Sequence, residues 1–316
     1  MTFASLGLIE PLLRTLDSLD YKTPTAVQAQ AIVPVLQGRD LMAAAQTGTG
    51  KTAGFALPVL QRLMIEGPQV ASNSVRALVL VPTRELAEQV LQSFITYGQH
   101  LPLRSYAVYG GVSINPQMMK LRKGVDVLVA TPGRLLDLFR QNAVKFNQVQ
   151  TLVLDEADRM LDLGFANELE SVFRALPKKR QTLLFSATYP APVKKLADEL
   201  LAKDYERITV DVANSASALV EQRVYRVKKE EKRDFLVWLV ENEPVEQAIV
   251  FCRTRHGAER LAKQLKEDGV SSTAIHGERT QNQREAALQE FRDGRVRLLV
   301  ATDVAARGLD IPNLPY

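Results

Sequence analysis

The stretch that decides the fold is Ala45-Gln-Thr-Gly-Thr-Gly-Lys-Thr52, which joins a short apolar run at 40–45 to a helical pattern at 53–64. Glycines between a strand and a helix let backbone N–H groups surround phosphate oxygens, and the helix start adds the positive end of its dipole. The stretch therefore predicts a phosphate-binding loop inside an α/β fold. The usual pattern begins with glycine, where this chain has Ala45.

Strand-like and helical stretches alternate outward from this loop. The predicted strands that precede residue 210 are 40–45, 77–81, 105–109, 125–130, 151–154 and 182–186. Helical patterns separate them, for example at 84–97, 133–140 and 192–201. Because most of these strands are continuous apolar runs, they are typical of a parallel sheet that helices cover on both faces.

A small, polar stretch at 210–220 interrupts the alternation, and we predict an interdomain linker there. The alternation then resumes, with predicted strands at 222–227, 248–252, 271–275 and 297–302 and helices at 232–241, 258–268 and 281–293. The length of 316 residues also suggests two domains. We expect an α/β protein with two doubly wound parallel sheets, in domains 1–209 and 221–316, the second of them incomplete.

Composition excludes several classes of protein. The 40 basic and 36 acidic residues leave a net charge of +4, which permits a phosphate-rich partner without requiring one. One cysteine, Cys252, and three histidines exclude a disulfide framework and make a cysteine-rich or histidine-based metal site unexpected. No apolar run approaches the length of a membrane span and no leader pattern is visible. We predict a cytoplasmic protein with no membrane partner.

A second motif, Leu152-Val-Leu-Asp-Glu-Ala-Asp158, places adjacent carboxylates at the end of an apolar strand. Lys51 would neutralise the β- and γ-phosphates, while Thr52 and Asp155 would hold Mg²⁺. Glu156 would then orient or deprotonate the attacking water. Alone, the two acids could equally cap a helix. Together with the phosphate-binding loop, they predict a magnesium-dependent nucleoside triphosphatase with catalytic Lys51, Asp155 and Glu156.

From Phe3 to Pro312 the chain resembles the DEAD-box ATP-dependent RNA helicases of bacterial type, through an ordered series of motifs that includes Asp155-Glu-Ala-Asp158. The resemblance implies two RecA-like domains and the cofactors ATP and Mg²⁺. Tyr21-Lys-Thr-Pro-Thr-Ala-Val-Gln28 is similar to the motif in which a glutamine reads adenine, although Asp20 stands where glycine is usual. The implied nucleotide-binding residues are Phe3, Tyr21, Gln28, Gln46, Thr47, Gly48, Thr49, Gly50, Lys51, Thr52, Gly308 and Asp310.

The resemblance also implies residues that contact RNA and residues that couple hydrolysis to strand separation. The RNA contacts would come from motifs at 82–89, 110–111, 131–134, 249–255, 276–284 and 301–312, with Arg253 where asparagine is common. The implied RNA-binding residues are Thr83, Arg84, Gly111, Thr131, Arg134, Arg255, Gly277 and Thr302. The implied coupling residues are Asp158, Ser186 and Thr188.

The function that the resemblance implies is unwinding or remodelling of short RNA duplexes by ATP hydrolysis. Single-stranded or short duplex RNA would be held mostly through its backbone. The family's histidine–arginine-rich motif, whose arginines reach the γ-phosphate, is not seen before Tyr316, so we expect this chain to hydrolyse ATP weakly. The alternatives are an RNA clamp with little turnover and, in the same superfamily, a DNA-directed helicase. A P-loop kinase has no support in the sequence.

Overall fold

The computed structural model describes residues 1–45, 48–65, 69–209, 221–302, 311 and 314. The chain divides into two compact units, Met1–Ala216 and Ser217–Tyr316. The predicted linker at 210–220 lies outside the described residues and stays a prediction.

The first unit contains a seven-stranded sheet in the order β3-β4-β2-β5-β6-β1-β7. All of its strand pairs are parallel, as the apolar runs predicted. The strands are β1 Leu41–Ala44, β2 Val75–Leu80, β3 Ser105–Val108, β4 Val125–Ala130, β5 Thr151–Leu154, β6 Gln181–Ser186 and β7 Glu206–Thr209.

Helices connect these strands, and a short 3-10 helix at Ala4–Leu6 precedes them. The described α-helices of the first unit are α1 Glu10–Ser18, α2 Ala26–Leu36, α3 Lys51–Ile65, α4 Arg84–Tyr97, α5 Ile114–Leu121, α6 Pro132–Arg140, α7 Ala157–Asp162, α8 Ala166–Ala175 and α9 Ala191–Leu200.

Two hydrophobic cores cover the two faces of this sheet. Successive residues of a strand point to opposite faces, so Val153 belongs to one core while Leu152 and Leu154 belong to the other. Both faces are therefore shielded from water, which is why most of the strands are nearly continuous apolar runs in the sequence. Among the described helices, none combines the length and apolar content needed to cross a membrane.

Strand β7 was not predicted from the sequence. It lies at the sheet edge and pairs in parallel with β1. Of its residues, only Ile208 is buried, so the Glu-Arg-Ile-Thr segment lacks the apolar run that identified the inner strands. An edge strand can remain polar because one of its sides faces solvent.

The second unit contains a parallel three-stranded sheet in the order β8-β10-β9, where β8 is Ala248–Cys252, β9 is Ser272–Ile275 and β10 is Leu298–Thr302. Its described helices are α10 Lys232–Asn242, α11 Arg255–Glu267 and α12 Gln281–Arg292. Alternate residues of β10 again belong to two separate apolar clusters. The prediction of two α/β units with parallel sheets is confirmed.

The predicted strand at 222–227 is wrong, because these residues form no strand in the structure. The side chain of Val224 is almost fully exposed. The ring of Tyr225 packs instead on Phe235 of α10, at 4.9 Å between ring centroids. Of the residues that favour a strand here, Val224 is thus exposed and Tyr225 packs on a helix, and neither belongs to a sheet.

Candidate functional site

Predicted nucleotide-binding residues follow three adjacent strands of the first sheet. The strands β5, β6 and β1 are neighbours, and their carboxyl ends lie at one edge because the sheet is parallel. Asp155 follows β5, Ser186 ends β6, and the phosphate-binding loop follows β1. Sheet order therefore brings together motifs that are far apart in the sequence.

Lys51 and Asp155 form the buried centre of this group. Lys51 Nζ lies 4.0 Å from Asp155 Oδ1, and both side chains are at least nine-tenths buried. The Lys51 amine has no hydrogen-bond partner among the described residues. A buried ammonium without a hydrogen bond is costly, so the site fits an anionic ligand that would accept from this amine.

Burial raises the pKa of Asp155 to about 6. The Lys51 charge opposes this shift, whereas the neighbouring charges of Glu156 and Asp158 add to it. The carboxylate also accepts a hydrogen bond from the Glu156 N–H at 3.0 Å. The ionised form is therefore poorly compensated within the chain, which suits a carboxylate that binds a cation.

Glu156 adopts an unusual backbone conformation at the start of α7. Its φ and ψ are 54° and 52°, in the left-handed region that non-glycine residues rarely occupy. Arg159 Nη1 donates to Glu156 Oε2 at 3.0 Å, and both side chains are buried. The side chain of Glu156 is thus fixed one residue beyond Asp155.

In the described part of the predicted phosphate-binding loop, both glycines have a positive φ. Gly48 and Gly50 have φ of 82° and 85°, and α3 begins at Lys51. Thr52, partly buried, lies in the first turn of α3. The Thr49 carbonyl accepts a hydrogen bond from Thr25 Oγ1 at 2.8 Å. Gln46 and Thr47 lie outside the described residues.

The amide of Gln28 connects the loop to the start of α2. Its Oε1 accepts from the Thr25 N–H at 2.9 Å, and its Nε2 donates to the Gly50 carbonyl at 3.1 Å. Phe3 is 4% exposed and packs in a hydrophobic core, whereas Tyr21 is 42% exposed. Adenine binding by Phe3, Tyr21 and Gln28 stays a prediction.

The three predicted coupling residues form one hydrogen-bonded network. Thr188 donates to Asp158 Oδ2 from its N–H at 3.0 Å and from Oγ1 at 2.7 Å. Ser186 Oγ accepts from the Asp158 N–H at 3.2 Å and donates to the Thr188 carbonyl at 2.8 Å. Burial alone would raise the pKa of Asp158, but hydrogen bonds from Thr188 and Ser186 outweigh it and lower that pKa.

Predicted RNA-binding residues follow the other adjacent strands, β3, β4 and β2. Arg84 Cζ lies 5.3 Å from the ring centroid of Tyr109, within the range of a cation–π contact. Gly111 has φ of 78°, and a Cβ added there would lie 2.0 Å from Arg84 Nη2. Glycine is therefore required for the guanidinium to occupy this position.

Arg134, Thr131 and Thr83 lie at the starts of helices beside this pair. Arg134 Nη2 donates to the Val112 carbonyl at 2.8 Å. Thr83 is the N-cap of α4 and accepts from the Leu86 N–H at 3.3 Å. Thr131 is the N-cap of α6, and its side chain makes no capping hydrogen bond. The group combines two guanidinium groups with two helix starts, which are groups that bind phosphates.

The second unit holds the remaining predicted RNA-binding residues. Arg255 begins α11 and pairs with Glu278 at 2.8 Å. Gly277 is exposed, and Thr302 ends β10. Gly308 and Asp310, predicted to contact the ribose, lie outside the described residues.

A compact ion-pair cluster holds the loop that carries Gly277. Glu259 Oε1 accepts from Arg279 Nη2 at 2.8 Å, and Glu259 Oε2 accepts from His276 Nε2 at 2.9 Å. The hydrogen bond from Arg279 is the main cause that lowers the pKa of Glu259 to about 2, and His276 adds to it. Glu259 thus connects α11 to this loop through its hydrogen bonds to His276 and Arg279.

Sequence reasoning missed Arg159 and Glu259. Arg159 follows Glu156 by three residues, a spacing that brings side chains together on a helix, so this pair could have been found. Glu259 and His276 are 17 residues apart on different elements, and no local pattern connects them.

The residues present fit a magnesium ion held mainly by water and phosphate. Within the described ranges, no group of three or more His, Cys, Asp or Glu side chains could hold a metal. Magnesium commonly binds proteins through one or two carboxylates and completes its shell with water and substrate phosphates. Asp155 and Thr52 are the residues that would supply such a partial shell.

Two family models match the chain. The model described as DEAD/DEAH box helicase matches residues 25–196, and the model described as Helicase conserved C-terminal domain matches residues 231–316. Together they cover all of the predicted site residues except Phe3 and Tyr21.

Curated relatives and solved structures agree with these models. The chain is 42% identical to the RNA helicase CrhR of Synechocystis, over 100% of this chain and 63% of the relative. It is 39% identical to the DEAD-box ATP-dependent RNA helicase CshA of Bacillus cereus, over 100% of this chain and 59% of that protein. The chain therefore spans about 60% of the length of these relatives.

Solved structures support the RecA-like fold. Dbp5 of S. cerevisiae bound to RNA and ADP BeF3 is similar, with a TM-score of 0.82 and 30% identity, over 98% of this chain and 78% of that chain. A DEAD box protein from the hyperthermophile Methanococcus jannaschii has a TM-score of 0.62 and 34% identity, over 98% of this chain and 82% of that chain.

Proposed function

Because this chain belongs to the DEAD/DEAH box helicase family, we propose that it is an ATP-dependent RNA helicase that unwinds or remodels short RNA duplexes. The observation that supports this proposal most directly is the buried Lys51 amine. It has no hydrogen-bond partner among the described residues and lies 4.0 Å from Asp155, beside the loop that contains Gly48 and Gly50. A triphosphate bound there would accept hydrogen bonds from this amine and from backbone N–H groups.

Hydrolysis would use residues that the first sheet brings together. Lys51 would bind the β- and γ-phosphates, and Thr52 and Asp155 would hold Mg²⁺. The ion supplies charge neutralisation for the phosphoryl group that is transferred. Glu156 would position the attacking water and accept its proton, and the ion pair with Arg159 limits where its carboxylate can lie.

Coupling would depend on the Asp158 network. The Asp158 carboxylate lies three residues after Asp155 and accepts both hydrogen bonds from Thr188. A shift of the Asp155–Glu156 segment during hydrolysis would therefore be transmitted to Thr188 and the segment after β6. We propose Asp158, Ser186 and Thr188 as the coupling residues on this basis.

RNA would bind through its sugar–phosphate backbone. In the first unit, Thr83, Arg84, Gly111, Thr131 and Arg134 offer guanidinium groups, helix starts and exposed backbone near one edge of the sheet. Arg255, Gly277 and Thr302 would contribute from the second unit. Contacts of this kind carry no base information, so we propose binding that is independent of sequence.

The remaining proposals concern organisation and location. We propose that residues 1–209 form the ATP-binding domain, that 210–220 form a linker, and that 221–316 belong to a second RecA-like domain. The adenine would be read by Gln28 with Phe3 and Tyr21. A single cysteine, Cys252, suits a reducing compartment, and we propose the cytoplasm.

The test is phosphate release from ATP and Mg²⁺ with and without single-stranded RNA. Low salt is required because phosphate contacts weaken as salt rises. We expect RNA to stimulate hydrolysis, and we expect Glu156→Gln to lower the stimulated rate by about 10²-fold or more, since proton transfer contributes that much.

Two other results would contradict the proposal. Equal stimulation by single-stranded DNA of the same length would indicate a DNA-directed enzyme. Nucleotide-dependent RNA binding without phosphate release would indicate an RNA clamp.

A further inference from the structure

A buried glutamine of α5 holds the chain at the end of β3. Gln117 is 5% exposed. Its Oε1 accepts from the Tyr109 N–H at 3.2 Å, and its Nε2 donates to the Tyr109 carbonyl at 3.2 Å. Nε2 also lies 3.4 Å from the Ser113 carbonyl. One side-chain amide thus satisfies both backbone groups of one residue.

This pairing occurs on a side of β3 where no described strand lies. β3 is an edge strand whose sheet partner is β4. The Val108 carbonyl accepts from the Thr131 N–H, on the β4 side. Successive residues of a strand direct their backbone groups to opposite sides, so those of Tyr109 face the open edge. Gln117 takes the place that another strand would occupy there.

Tyr109 links this pairing to the predicted RNA-binding residues. Its ring lies under the Arg84 guanidinium, at 5.3 Å from Arg84 Cζ to the ring centroid. Its carbonyl leads directly into Gly110 and Gly111, and the position of a Cβ on Gly111 is filled by Arg84 Nη2. A rotation of the backbone at Tyr109 would therefore move the ring, the guanidinium and the glycine turn together.

We propose that Gln117 is a positioning residue for RNA binding, which it supports by fixing Tyr109 and thereby the Arg84 guanidinium and the Gly110–Gly111 turn. The inference rests on the proposed function. Gln117 is buried and its amide is bonded to the chain, so it acts without touching RNA. Its loss should weaken RNA binding while nucleotide binding at β5, β6 and β1 is unaffected.

The experiment uses the full chain and two variants of this residue. Gln117→Met removes both hydrogen bonds with a side chain of similar length. Gln117→Glu keeps an acceptor for the Tyr109 N–H but, when ionised, has no donor for the Tyr109 carbonyl. The readouts are the RNA concentration that gives half-maximal ATP hydrolysis, the rate at saturating RNA, and the affinity for a fluorescent ATP analogue without RNA.

Gln61→Met is the matched control. Gln61 is also buried, and its amide also pairs with backbone groups on both sides, accepting from the Ile9 N–H and donating to the Gly7 carbonyl, each at 2.9 Å. It lies in α3, away from β3. Its loss removes a comparable pair of hydrogen bonds from the same unit without altering Tyr109.

We expect Gln117→Met to raise the half-saturating RNA concentration about tenfold, because the loss of two neutral hydrogen bonds is of that order. Gln117→Glu should give at least as large a rise, because its ionised carboxylate would be buried with one oxygen facing the Tyr109 carbonyl. The rate at saturating RNA and the affinity for the ATP analogue should stay within about twofold of the wild-type values, because a change at Gln117 should affect a site with which it shares no partner only slightly. Gln61→Met should leave the half-saturating RNA concentration within the same range.

The inference is overturned if both Gln117 variants keep the wild-type half-saturating concentration. It is also overturned if Gln61→Met raises that concentration as much as Gln117→Met, since the effect would then reflect general destabilisation. If RNA does not stimulate the wild-type chain, the proposed function itself fails. These results are distinguishable because the last is seen without any variant. Thermal unfolding of each variant establishes that it is folded.

Discussion

Asp155 places a carboxylate where the protein alone does not stabilise its charge. It is almost completely buried, and its pKa is about 6. The folded state binds the Asp155 proton more tightly than the unfolded state does. Protonated Asp155 therefore contributes its whole stabilisation of the folded state below the unfolded pKa, and this stabilisation is lost as the pH rises through about 6. The residue suited to hold a cation therefore destabilises the metal-free protein at neutral pH.

Removing this charge should stabilise the metal-free protein. Asp155→Asn keeps an acceptor for the Glu156 N–H but cannot ionise. The difference between the ordinary aspartate pKa of 3.8 and about 6 corresponds to about 3 kcal/mol in the free energy of unfolding. We expect the variant to be more stable than wild type by that amount at pH 8, and by little near pH 4. Denaturant unfolding with a chelator present measures it.

The exposed carboxylate Asp204 provides the control for this experiment. Asp204→Asn should change the free energy of unfolding little at either pH. A difference between Asp155→Asn and wild type that is the same at pH 4 and pH 8 would contradict the assignment, because it would not follow the ionisation of Asp155.

Gly48 and Gly50 have the same backbone conformation but different surroundings. Both have φ above 80°, so alanine is strained at either position by about 1–2 kcal/mol. Among the described residues, a Cβ at Gly48 meets no atom within 4 Å, whereas a Cβ at Gly50 lies 2.3 Å from Gln28 Nε2. We expect Gly50→Ala to lower the free energy of unfolding by about 1 kcal/mol more than Gly48→Ala, since the Gln28 bond to the Gly50 carbonyl is lost.

Denaturant unfolding without nucleotide compares the two variants, so that no bound phosphate contributes. Adding Gln28→Ala to each should remove the difference, because the side chain that the new Cβ meets is then absent. Equal destabilisation by both alanines in the wild-type background would show that Gln28 does not restrict Gly50.

At the residue scale, the sequence predicted which side chains belong to the candidate site better than it predicted the hydrogen bonds that hold them. Lys51 and Asp155 could be paired from their motifs, because both follow strands of a parallel sheet. The bonds of Gln28 to Thr25 and Gly50 could not. They depend on the distance between α2 and the loop, which arises from packing and leaves no local pattern in the sequence.

At the scale of elements, a buried ion pair connects four segments of the first unit. Arg76 of β2 and Asp126 of β4 lie 3.2 Å apart, with less than a tenth of either side chain exposed. Arg76 Nη2 also donates to the Leu63 carbonyl of α3, and Asp126 Oδ2 accepts from the Arg104 N–H before β3. Removing one charge of such a pair leaves the other charge buried without compensation, which destabilises the folded state.

Asp126→Ala should therefore destabilise the first unit by about 3–5 kcal/mol, because it leaves a buried guanidinium without its carboxylate. Arg76→Met combined with Asp126→Ala should lower stability by less than the sum of the single changes. Denaturant unfolding of the four proteins in a double-mutant cycle measures this coupling.

The exposed pair Lys195–Glu199 on α9 is the control, at 3.8 Å with most of both side chains exposed. Its coupling should be below about 0.5 kcal/mol. Additive effects of the Arg76 and Asp126 substitutions would contradict the importance of the buried pair.

The inner strands could be predicted because burial on two faces favours apolar residues at most positions. β7 could not, since one buried residue is enough for an edge strand. The error at 222–227 has the opposite cause. There Val224 and Tyr225 favour a strand, but Val224 is almost fully exposed and Tyr225 packs on Phe235 of a helix. Residues that favour strands therefore do not by themselves specify a partner strand.

At the scale of the whole molecule, each unit has its own hydrophobic cores. Among the described residues, the two cores of the first unit contain only residues between Phe3 and Ile208, and the clusters of the second unit contain only residues from Leu236 onward. A unit that buries its own apolar surface can fold independently. The predicted nucleotide-binding residues that the structure describes all belong to the first unit, whereas the predicted RNA-binding residues are divided between the two.

A fragment of residues 1–209 should therefore fold and bind nucleotide without supporting RNA-stimulated hydrolysis. We expect its thermal unfolding transition to match one transition of the full chain, and its affinity for a fluorescent ATP analogue without RNA to be similar. RNA should not accelerate phosphate release, because Arg255, Gly277 and Thr302 are absent. The fragment with Lys51→Met is the control, and it should lose nucleotide binding while remaining folded. An unfolded fragment would show that the cores depend on the second unit, and RNA stimulation of the fragment would show that the first unit is sufficient for coupling.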